Sequence, residues 1–175
     1  MLQGTIFSVN GPIVKAHGLS GSAMLELVEV GALGLIGEII RCEDDLTTIQ
    51  VYEENSGLKP GEPVVSRGMP VSIALGPGLI GSIYDGIQRP LQKLQSHSGA
   101  FIRRGEKVFP LPEEKKWSVQ PCAAAGATVG AGTVLFEVQE TSLVRHRVLV
   151  PPGEAGVLEW TAAGGVYTLE EPLYR

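Results

Sequence analysis

Glycine and proline interrupt this chain at short intervals, and that pattern limits the folds open to it. The 175 residues include 23 glycines and 12 prolines, but only 4 phenylalanines and 2 tryptophans. Glycine and proline both interrupt regular structure. The glycine backbone is unusually free, and the proline ring fixes φ and removes a hydrogen-bond donor. Short strands joined by tight turns suit this pattern better than long helices, so we expect a mainly β fold.

The region from residue 2 to about residue 65 reads as a series of short strands. Turn signals such as Asn10-Gly11 separate its β-prone segments, and strict alternation from Thr47 onward marks the clearest strand. Five or six strands of this length favour a small closed barrel, because closure removes exposed sheet edges. The predicted strands are Gln3 to Phe7, Ile13 to Ala16, Met24 to Val30, Leu35 to Arg41, Leu46 to Tyr52 and Val64 to Val65.

The stretch GPGLIGSIYDGIQRPL, Gly76 to Leu91, separates this region from a second β-rich half. Its Gly-Pro-Gly start cannot continue a strand or a helix comfortably. Ser82 is a candidate helix cap, Asp85 suits a first helical turn, and a break is expected at Arg89-Pro90. One helix with a second short turn from Leu91 to Gln95 is therefore predicted. Its apolar residues at helical spacing are Ile83, Ile87, Leu91 and Leu94.

From about residue 108 onward, glycine turns again alternate with short apolar runs. GATVGAGTVLFEV and GEAGVLEWTAAGGVYTL form a loose internal repeat, which favours a small β-sandwich or flattened barrel. The predicted fold is thus mainly β, with a small N-terminal β-barrel, a connecting helical segment and a second β-sandwich-like module. Strands in this half are predicted at Lys115 to Val119, Thr133 to Val138, Arg147 to Val150, Gly156 to Trp160 and Val166 to Leu169.

Composition argues against several partners and compartments. A net charge of −5 offers no basic footprint for nucleic acid or an anionic membrane. The longest uncharged run, residues 68 to 84, is shorter than the roughly 20 apolar residues of a spanning helix, so no direct membrane insertion is expected. Cys42 and Cys122 lie in no CxxC pair and are expected to be buried thiols. The N-terminus has no signal-peptide pattern, so a soluble cytoplasmic protein is the expectation.

The glycine pattern in the central stretch has two interpretations. Gly76, Gly78 and Gly81 match the GxGxxG dinucleotide fingerprint, which needs a surrounding βαβ unit and an acidic residue about 20 positions later. Around that position the chain has Gln95, His97 and Ser98, so a structural turn is preferred. No GxxxxGK[ST] phosphate loop occurs in the sequence, which argues against nucleotide hydrolysis by these residues.

Other candidate groups for catalysis are weak. Ser20 lies in GLSGS, which does not complete a nucleophile elbow. His17, His97 and His146 are scattered, without a second ligand at metal spacing. The pairs Glu53-Glu54 and Glu113-Glu114 are interpreted as solvated loop charges. We therefore assign no catalytic, cofactor-binding or metal-binding residue.

The second half also looks like the barrel-sandwich fold of biotinyl and lipoyl carrier domains. Those carriers present a lysine at a hairpin tip, whereas Thr141 to His146 contains no lysine. A stand-alone carrier is kept as an alternative function, although the missing lysine argues against it.

Several long strings closely resemble one family over essentially the whole chain. They are GLIGEIIR from Gly34, TIQVYEENSGLKPGEPVV from Thr48, LGPGLIGSIYDGIQRPL from Leu75, EKKW from Glu114 and LVPPG from Leu149. In this order they resemble the N-terminal third of the catalytic A subunit of V-type and archaeal-type rotary ATPases.

The resemblance implies a division into three parts. Residues 1–70 would be the barrel that joins neighbouring subunits into a crown, residues 71–110 the start of the nucleotide-binding domain, and residues 111–175 the non-homologous bulge domain. Neighbouring B subunits, with stalk proteins as further partners, would bind these surfaces on a cytoplasmic complex peripheral to the membrane. ATP and Mg would be bound elsewhere in the parent protein and not by this chain. The structural joint would comprise Gly76, Gly78, Gly81, Gly86, Arg89 and Pro90.

Two further expectations follow from the resemblance. The chain would be a fragment of a longer protein or, alternatively, a truncated regulatory paralogue that competes for ring assembly. Separation from neighbouring domains would leave Ile83, Ile87 and Leu91 poorly covered, which predicts self-association.

Overall fold

The computed structural model describes residues 1–99 and 101–175, and it confirms a mainly β chain with one short described helix. Two compact units are present. The barrel unit comprises Met1–Ile73 and Asp85–Val108, and the C-terminal unit comprises Ala74–Tyr84 and Phe109–Arg175. Residues 71–110 are thus divided between the two units. That they begin a nucleotide-binding domain stays a prediction.

The barrel unit contains a closed barrel of six antiparallel strands in the order β1-β2-β5-β4-β3-β6. The predicted closed barrel is therefore confirmed, and its strands extend several predicted boundaries by a few residues. The strands are β1 Gln3–Asn10, β2 Ile13–His17, β3 Glu26–Val30, β4 Leu35–Glu43, β5 Leu46–Val51 and β6 Pro63–Pro70.

Alternation along the strands builds the barrel core. In β5, Thr47, Ile49 and Val51 are buried while Gln50 is exposed, as the period of two predicts, but Thr48 on the opposite face is also buried. Branched aliphatic side chains dominate the interior, which suits a small barrel with room for side chains only. The core residues are Ile6, Val14, Ala16, Leu19, Val28, Val30, Leu35, Ile39, Ile49, Val51 and Val64.

The helix predicted from Ser82 is wrong over residues 82–90. The observed helix, α1, runs Leu91–Ser98 with Pro90 at its N-cap, so only the predicted Leu91 to Gln95 turn is confirmed. Asp85 explains the difference, because its Oδ1 accepts the backbone N–H groups of Ile87 at 3.1 Å and Arg89 at 2.8 Å. This side chain competes with helical hydrogen bonding, and Gln88 then adopts a left-handed φ of 61°.

The C-terminal unit has a four-stranded sheet in the order β10-β9-β7-β12 and a two-stranded sheet of β11 and β8. Trp117, Phe136 and Leu158 lie in its core, each with 4% exposure or less. Its strands are short, as the glycine turns predicted. They are β7 Trp117–Pro121, β8 Thr128–Gly130, β9 Val134–Gln139, β10 Arg145–Leu149, β11 Ala155–Val157 and β12 Gly165–Tyr167.

The prediction of buried cysteines is wrong. Both Cys42 and Cys122 are exposed free thiols. Cys42 lies in the last part of β4, where the final three residues of the strand are all exposed beyond the barrel core. Cys122 directly follows β7, after the last two residues of that strand have also become exposed. Each cysteine thus lies at the end of a strand, where neither hydrophobic core covers its side chain.

Candidate functional site

The six residues predicted to form a joint fall in different units. Gly76, Gly78 and Gly81 lie in the C-terminal unit, whereas Gly86, Arg89 and Pro90 lie in the barrel unit. Pro90 is buried and its carbonyl accepts the first helical hydrogen bond, from Leu94 N–H at 3.0 Å. A Cβ at Gly81 or Gly86 would meet no atom within 4 Å. The role of these six residues as a joint stays a prediction, but Arg89 and Gly78 each belong to a specific polar cluster.

Glu53 forms the centre of the cluster in the barrel unit, which we call the Glu53 clasp. Its Oε2 accepts Arg89 Nη1 at 2.8 Å and the backbone N–H of Gly105 at 3.0 Å. Its Oε1 accepts the backbone N–H of Ile36 at 3.2 Å. The Glu53 side chain is only 5% exposed and that of Arg89 only 14%. The interpretation of Glu53 as a solvated charge is therefore wrong.

Asp85 is the second acidic partner of Arg89, with Nε to Oδ2 at 2.8 Å. Burial alone would raise the pKa of Asp85, but hydrogen bonds from the Arg89 and Ile87 amides and the Arg89 guanidinium outweigh it and lower that pKa. Burial alone would lower the pKa of Arg89, yet Asp85 and Glu53 together raise it. The cluster therefore favours the charged forms of Asp85 and Arg89.

A second ion cluster joins the same stretch of chain to the barrel strands. Glu29 of β3 pairs with Arg67 of β6 at 2.5 Å and with Lys107 at 3.0 Å. Burial would raise the pKa of Glu29, but the hydrogen bonds from Arg67 and Lys107 outweigh it and lower that pKa. Residues 85–108 are thus fastened to the barrel at both Glu53 and Glu29.

Glu140 forms a different cluster in the C-terminal unit, which we call the Glu140 clasp. Its Oε1 accepts the backbone N–H of Gly78 at 2.7 Å and that of Ile80 at 3.1 Å. Gly78 has a φ of +107°, and a Cβ there would lie 2.6 Å from the Pro112 ring. The GxGxxG turn therefore binds a carboxylate of its own chain. Gly78 is required there both by its positive φ and by the close packing of Pro112.

The arrangement of titratable groups offers no catalytic constellation in the part of the chain that the structure describes. No group of three or more His, Cys, Asp or Glu residues could hold a metal ion there. Ser20 donates its hydroxyl to Asp45, with which His17 also pairs at 3.0 Å. The hydroxyl thus faces the carboxylate and is not activated by the imidazole.

The hairpin compared with carrier domains joins β9 to β10 through residues 140–144. Thr141 Oγ1 accepts the backbone N–H groups of Leu143 and Val144 and stabilises this turn. Arg145 and His146 already belong to β10. The loop contains no lysine, so it offers no amine for attachment of biotin or lipoate.

One end of the barrel carries exposed apolar side chains. Met24 and Leu25 precede β3, and Met69 is the penultimate residue of β6. The ladder pairs Glu26 with Pro70, so the three side chains lie at the same end of these adjacent strands. Their exposed fractions are 60%, 55% and 51%. We call them the Met24 patch, a surface of the kind that interfaces cover.

Two family models match the chain at the positions of its two β modules. The beta-barrel domain of the ATP synthase alpha/beta family matches residues 6–68, and the ATP synthase alpha/beta subunit barrel-sandwich domain matches residues 108–175. The chain belongs to the ATP synthase alpha/beta family. The resemblance inferred from its sequence strings is confirmed.

Curated relatives within this family are A subunits, also called alpha chains, of A-type and V-type ATP synthases. The chain is 52% identical over 173 residues to the A subunit of the A-type ATP synthase of Pyrococcus horikoshii, covering 99% of the chain and 18% of the relative. It is 52% identical to the corresponding protein of Desulfurococcus, covering 99% and 30%. It is 50% identical over 171 residues to the V-type ATP synthase alpha chain of Halothermothrix orenii, covering 98% and 29%. The chain thus spans less than a third of the length of these relatives.

Sequence reasoning missed both carboxylates that organise this ATP synthase alpha/beta family chain. Glu53 and its partner Arg89 are 36 positions apart, and Glu140 and Gly78 are 62 apart. No local pattern links such pairs. The one available signal was Glu53 itself, because it lies two residues beyond the end of β5 and next to a barrel core.

No helix in residues 1–99 or 101–175 has the length and apolarity needed to cross a membrane.

Proposed function

We propose that this chain is the N-terminal assembly region of the A subunit of an A-type or V-type ATP synthase, and that it supplies surfaces for ring assembly and stalk contact. The observation that carries the proposal is an identity of about 50% over nearly the whole chain to A subunits and alpha chains of which it covers less than a third. The partners are then the neighbouring B subunits and proteins of the peripheral stalk. The assembled complex lies on the cytoplasmic side, peripheral to the membrane.

The proposed role is structural and not catalytic. The sequence contains no GxxxxGK[ST] phosphate loop, which supplies the backbone amides and the lysine that hold β- and γ-phosphates. ATP and Mg would be bound by other parts of the parent protein, so the isolated 175-residue protein neither binds nor hydrolyses ATP.

The Met24 patch is the proposed ring contact. Three large apolar side chains at one end of the barrel would lose water contact when another barrel packs on them. A closed barrel suits this role because it has no free sheet edge, so side chains at its ends and not strand pairing decide which neighbour it accepts.

Binding of the purified 175-residue protein to purified B subunit, measured by isothermal titration calorimetry, tests this proposal. We expect the Met24→Lys/Met69→Lys variant to bind at least about tenfold more weakly, because two charges would be desolvated in the contact. Leu143→Lys is the matched control, since Leu143 is 93% exposed in the C-terminal unit and lies outside the patch.

Two results would contradict the proposal. Absence of binding to B subunit would argue against the assembly role, and equal binding by the double variant would move the contact away from the Met24 patch. Titration of the protein with a fluorescent ATP analogue separately tests the non-catalytic role. Saturable binding or measurable hydrolysis would overturn that part.

A further inference from the structure

Residues 74–84 form a separate strap on the C-terminal unit. All of them are described by the structure, and none belongs to a strand or helix of the unit. They belong to the C-terminal unit although residues up to Ile73 and from Asp85 onward belong to the barrel unit. The strap is therefore held mainly by side-chain contacts and not by a β ladder.

The strap forms one wall of an apolar cavity in this unit. The cavity has a volume of about 780 Å³. Leu75, Gly76 and Pro77 of the strap line it, together with residues of the four-stranded sheet such as Trp117, Val119 and Val148. If the strap moved away, more of this apolar lining would be exposed to water, which opposes the movement.

Glu140 holds the strap through two hydrogen bonds to a single carboxylate oxygen. One carboxylate oxygen accepts two strap amides, from Gly78 at 2.7 Å and Ile80 at 3.1 Å, and the Tyr84 hydroxyl adds a bond to the Pro110 carbonyl at 3.1 Å. Hydrogen bonds to a charged acceptor are about twice as strong as neutral ones. Glu140 lies at the start of the β9–β10 loop, so this loop and the strap are coupled through one side chain.

The closed arrangement also carries a cost. The indole N–H of Trp117 is buried and has no hydrogen-bond acceptor among residues 1–99 and 101–175. A Cβ placed on Gly78 would lie 3.3 Å from Trp117 Cζ2, the ring atom next to the carbon that bears this nitrogen. The strap thus packs on the part of the ring that contains the unpaired donor, and water would reach that donor if the strap were released.

We propose that residues 74–84 are a hinged strap closing one side of the apolar cavity, and that Glu140 is the latch that holds the strap shut. The latch bonds and the apolar lining favour the closed state, while the unpaired Trp117 donor favours the open one. Opening therefore takes place within the folded unit, without unfolding of its sheets. This inference is independent of the assembly role proposed above.

Native-state amide exchange of the full 175-residue protein, measured by NMR, is the first test. The Gly78 and Ile80 amides should exchange through a local opening that is insensitive to low denaturant, at least about tenfold faster than unit-wide unfolding allows. The Val150 and Leu158 amides report that unfolding, because they donate to Thr133 and Ala127 within the core. If Gly78 and Ile80 exchange only with Val150 and Leu158, the strap does not open and the proposal fails.

The second test removes the latch. Glu140→Ala should speed exchange at Gly78 and Ile80 by about tenfold or more, because both amides lose a charged acceptor, and Glu140→Gln should have a smaller effect. Acrylamide quenching of Trp117, isolated in a Trp160→Phe background, should rise in parallel. Glu137→Gln is the control, since Glu137 lies on β9, three residues before Glu140, and pairs with Arg145 and not with the strap. Unchanged strap exchange in Glu140→Ala would overturn the proposal; should that variant not fold, the wild-type measurement decides.

Discussion

The barrel unit and the C-terminal unit both use a carboxylate clasp to hold a stretch of non-strand chain, but the Glu53 clasp and the Glu140 clasp have different chemistry. Glu53 is 5% exposed and faces a guanidinium as well as two backbone amides. The Glu140 oxygen accepts two backbone amides, those of Gly78 and Ile80. One clasp is a buried ion pair, and the other is a carboxylate bound by peptide dipoles.

This difference decides how each clasp can be undone. Separation of Arg89 from Glu53 would leave the Glu53 carboxylate with little water around it and no cation to offset its charge. Such an unpaired buried charge is costly, even though burying the pair was itself unfavourable. Release of Glu140 moves its carboxylate toward solvent and costs two hydrogen bonds. We therefore expect residues 85–108 to stay on the barrel until it unfolds, whereas residues 74–84 can leave a folded C-terminal unit.

The largest expected effect comes from breaking the Glu53 clasp. Arg89→Met keeps much of the side-chain volume but leaves Glu53 charged, buried and without its cationic partner. We expect a loss of about 3–5 kcal/mol in the free energy of unfolding of the barrel unit. Far-UV circular dichroism during urea unfolding reports both β units, whereas tryptophan fluorescence reports only the C-terminal unit, which contains Trp117 and Trp160. The barrel transition is therefore the part of the circular dichroism change that the fluorescence change does not account for.

Arg41→Met is the matched control for this substitution. Arg41 pairs with Glu43 at 2.6 Å, but its side chain is 68% exposed, so about 1 kcal/mol or less should be lost. Adding Glu53→Gln to Arg89→Met should recover part of the loss, because the uncompensated charge is removed. Equal losses for the Arg89 and Arg41 variants would mean that burial does not distinguish the Glu53 clasp.

The close packing of the strap gives the next largest effect. Gly78→Ala and Gly81→Ala both place a Cβ on a residue with positive φ, at +107° and +87°. Only at Gly78 would that Cβ overlap the Pro112 ring, so Gly78→Ala should destabilise the C-terminal unit by about 1–3 kcal/mol more than Gly81→Ala. Tryptophan fluorescence during urea unfolding measures the difference. Equal effects would show that backbone strain alone accounts for both glycines.

Acidification should affect the barrel unit through Asp85. The pKa of Asp85 is lowered in the folded state from its ordinary 3.8. Its contribution to stability is therefore fully present above that value and is lost as the pH falls through the lower folded pKa. Asp85→Asn should flatten the fall in stability in this acidic range. Asp44→Asn, at an exposed turn, is the control, and an unchanged acid profile in Asp85→Asn would contradict the argument.

The barrel could be predicted from the sequence because its information is local. The alternation in β5 and the turn at Asn10-Gly11 act within a few residues, and each fixes a strand or a hairpin. Closure of the sheet into a barrel could be predicted from the number of strands, because closure removes the exposed edges of the sheet. The same local signals failed for residues 82–90, where the Asp85 side chain bonded two nearby amides and prevented the helix.

The two clasps were not predictable, because each joins residues far apart in the chain. Glu53-Glu54 looks like a solvated pair, and the contacts with Arg89 and with the Gly105 and Ile36 amides explain why the Glu53 side chain is buried while Glu54 stays exposed. Glu140 likewise gave no sign that its carboxylate would meet a glycine turn. Long-range pairing of this kind depends on the completed fold, which periodicity and turn chemistry do not specify.

The smallest effect should come from an ion cluster at the surface of the C-terminal unit. Glu137 pairs with Arg145 at 2.9 Å and with Arg147 at 3.4 Å, but those arginine side chains are 60% and 63% exposed. Glu137→Gln should therefore cost about 0.2–1 kcal/mol, since water already screens both pairs. The cost, measured by tryptophan fluorescence during urea unfolding, should shrink at high salt. If it instead matched that of Arg89→Met, the number of ion pairs and not their burial would set the strength of a clasp, and the contrast between Glu53 and Glu140 would lose its basis.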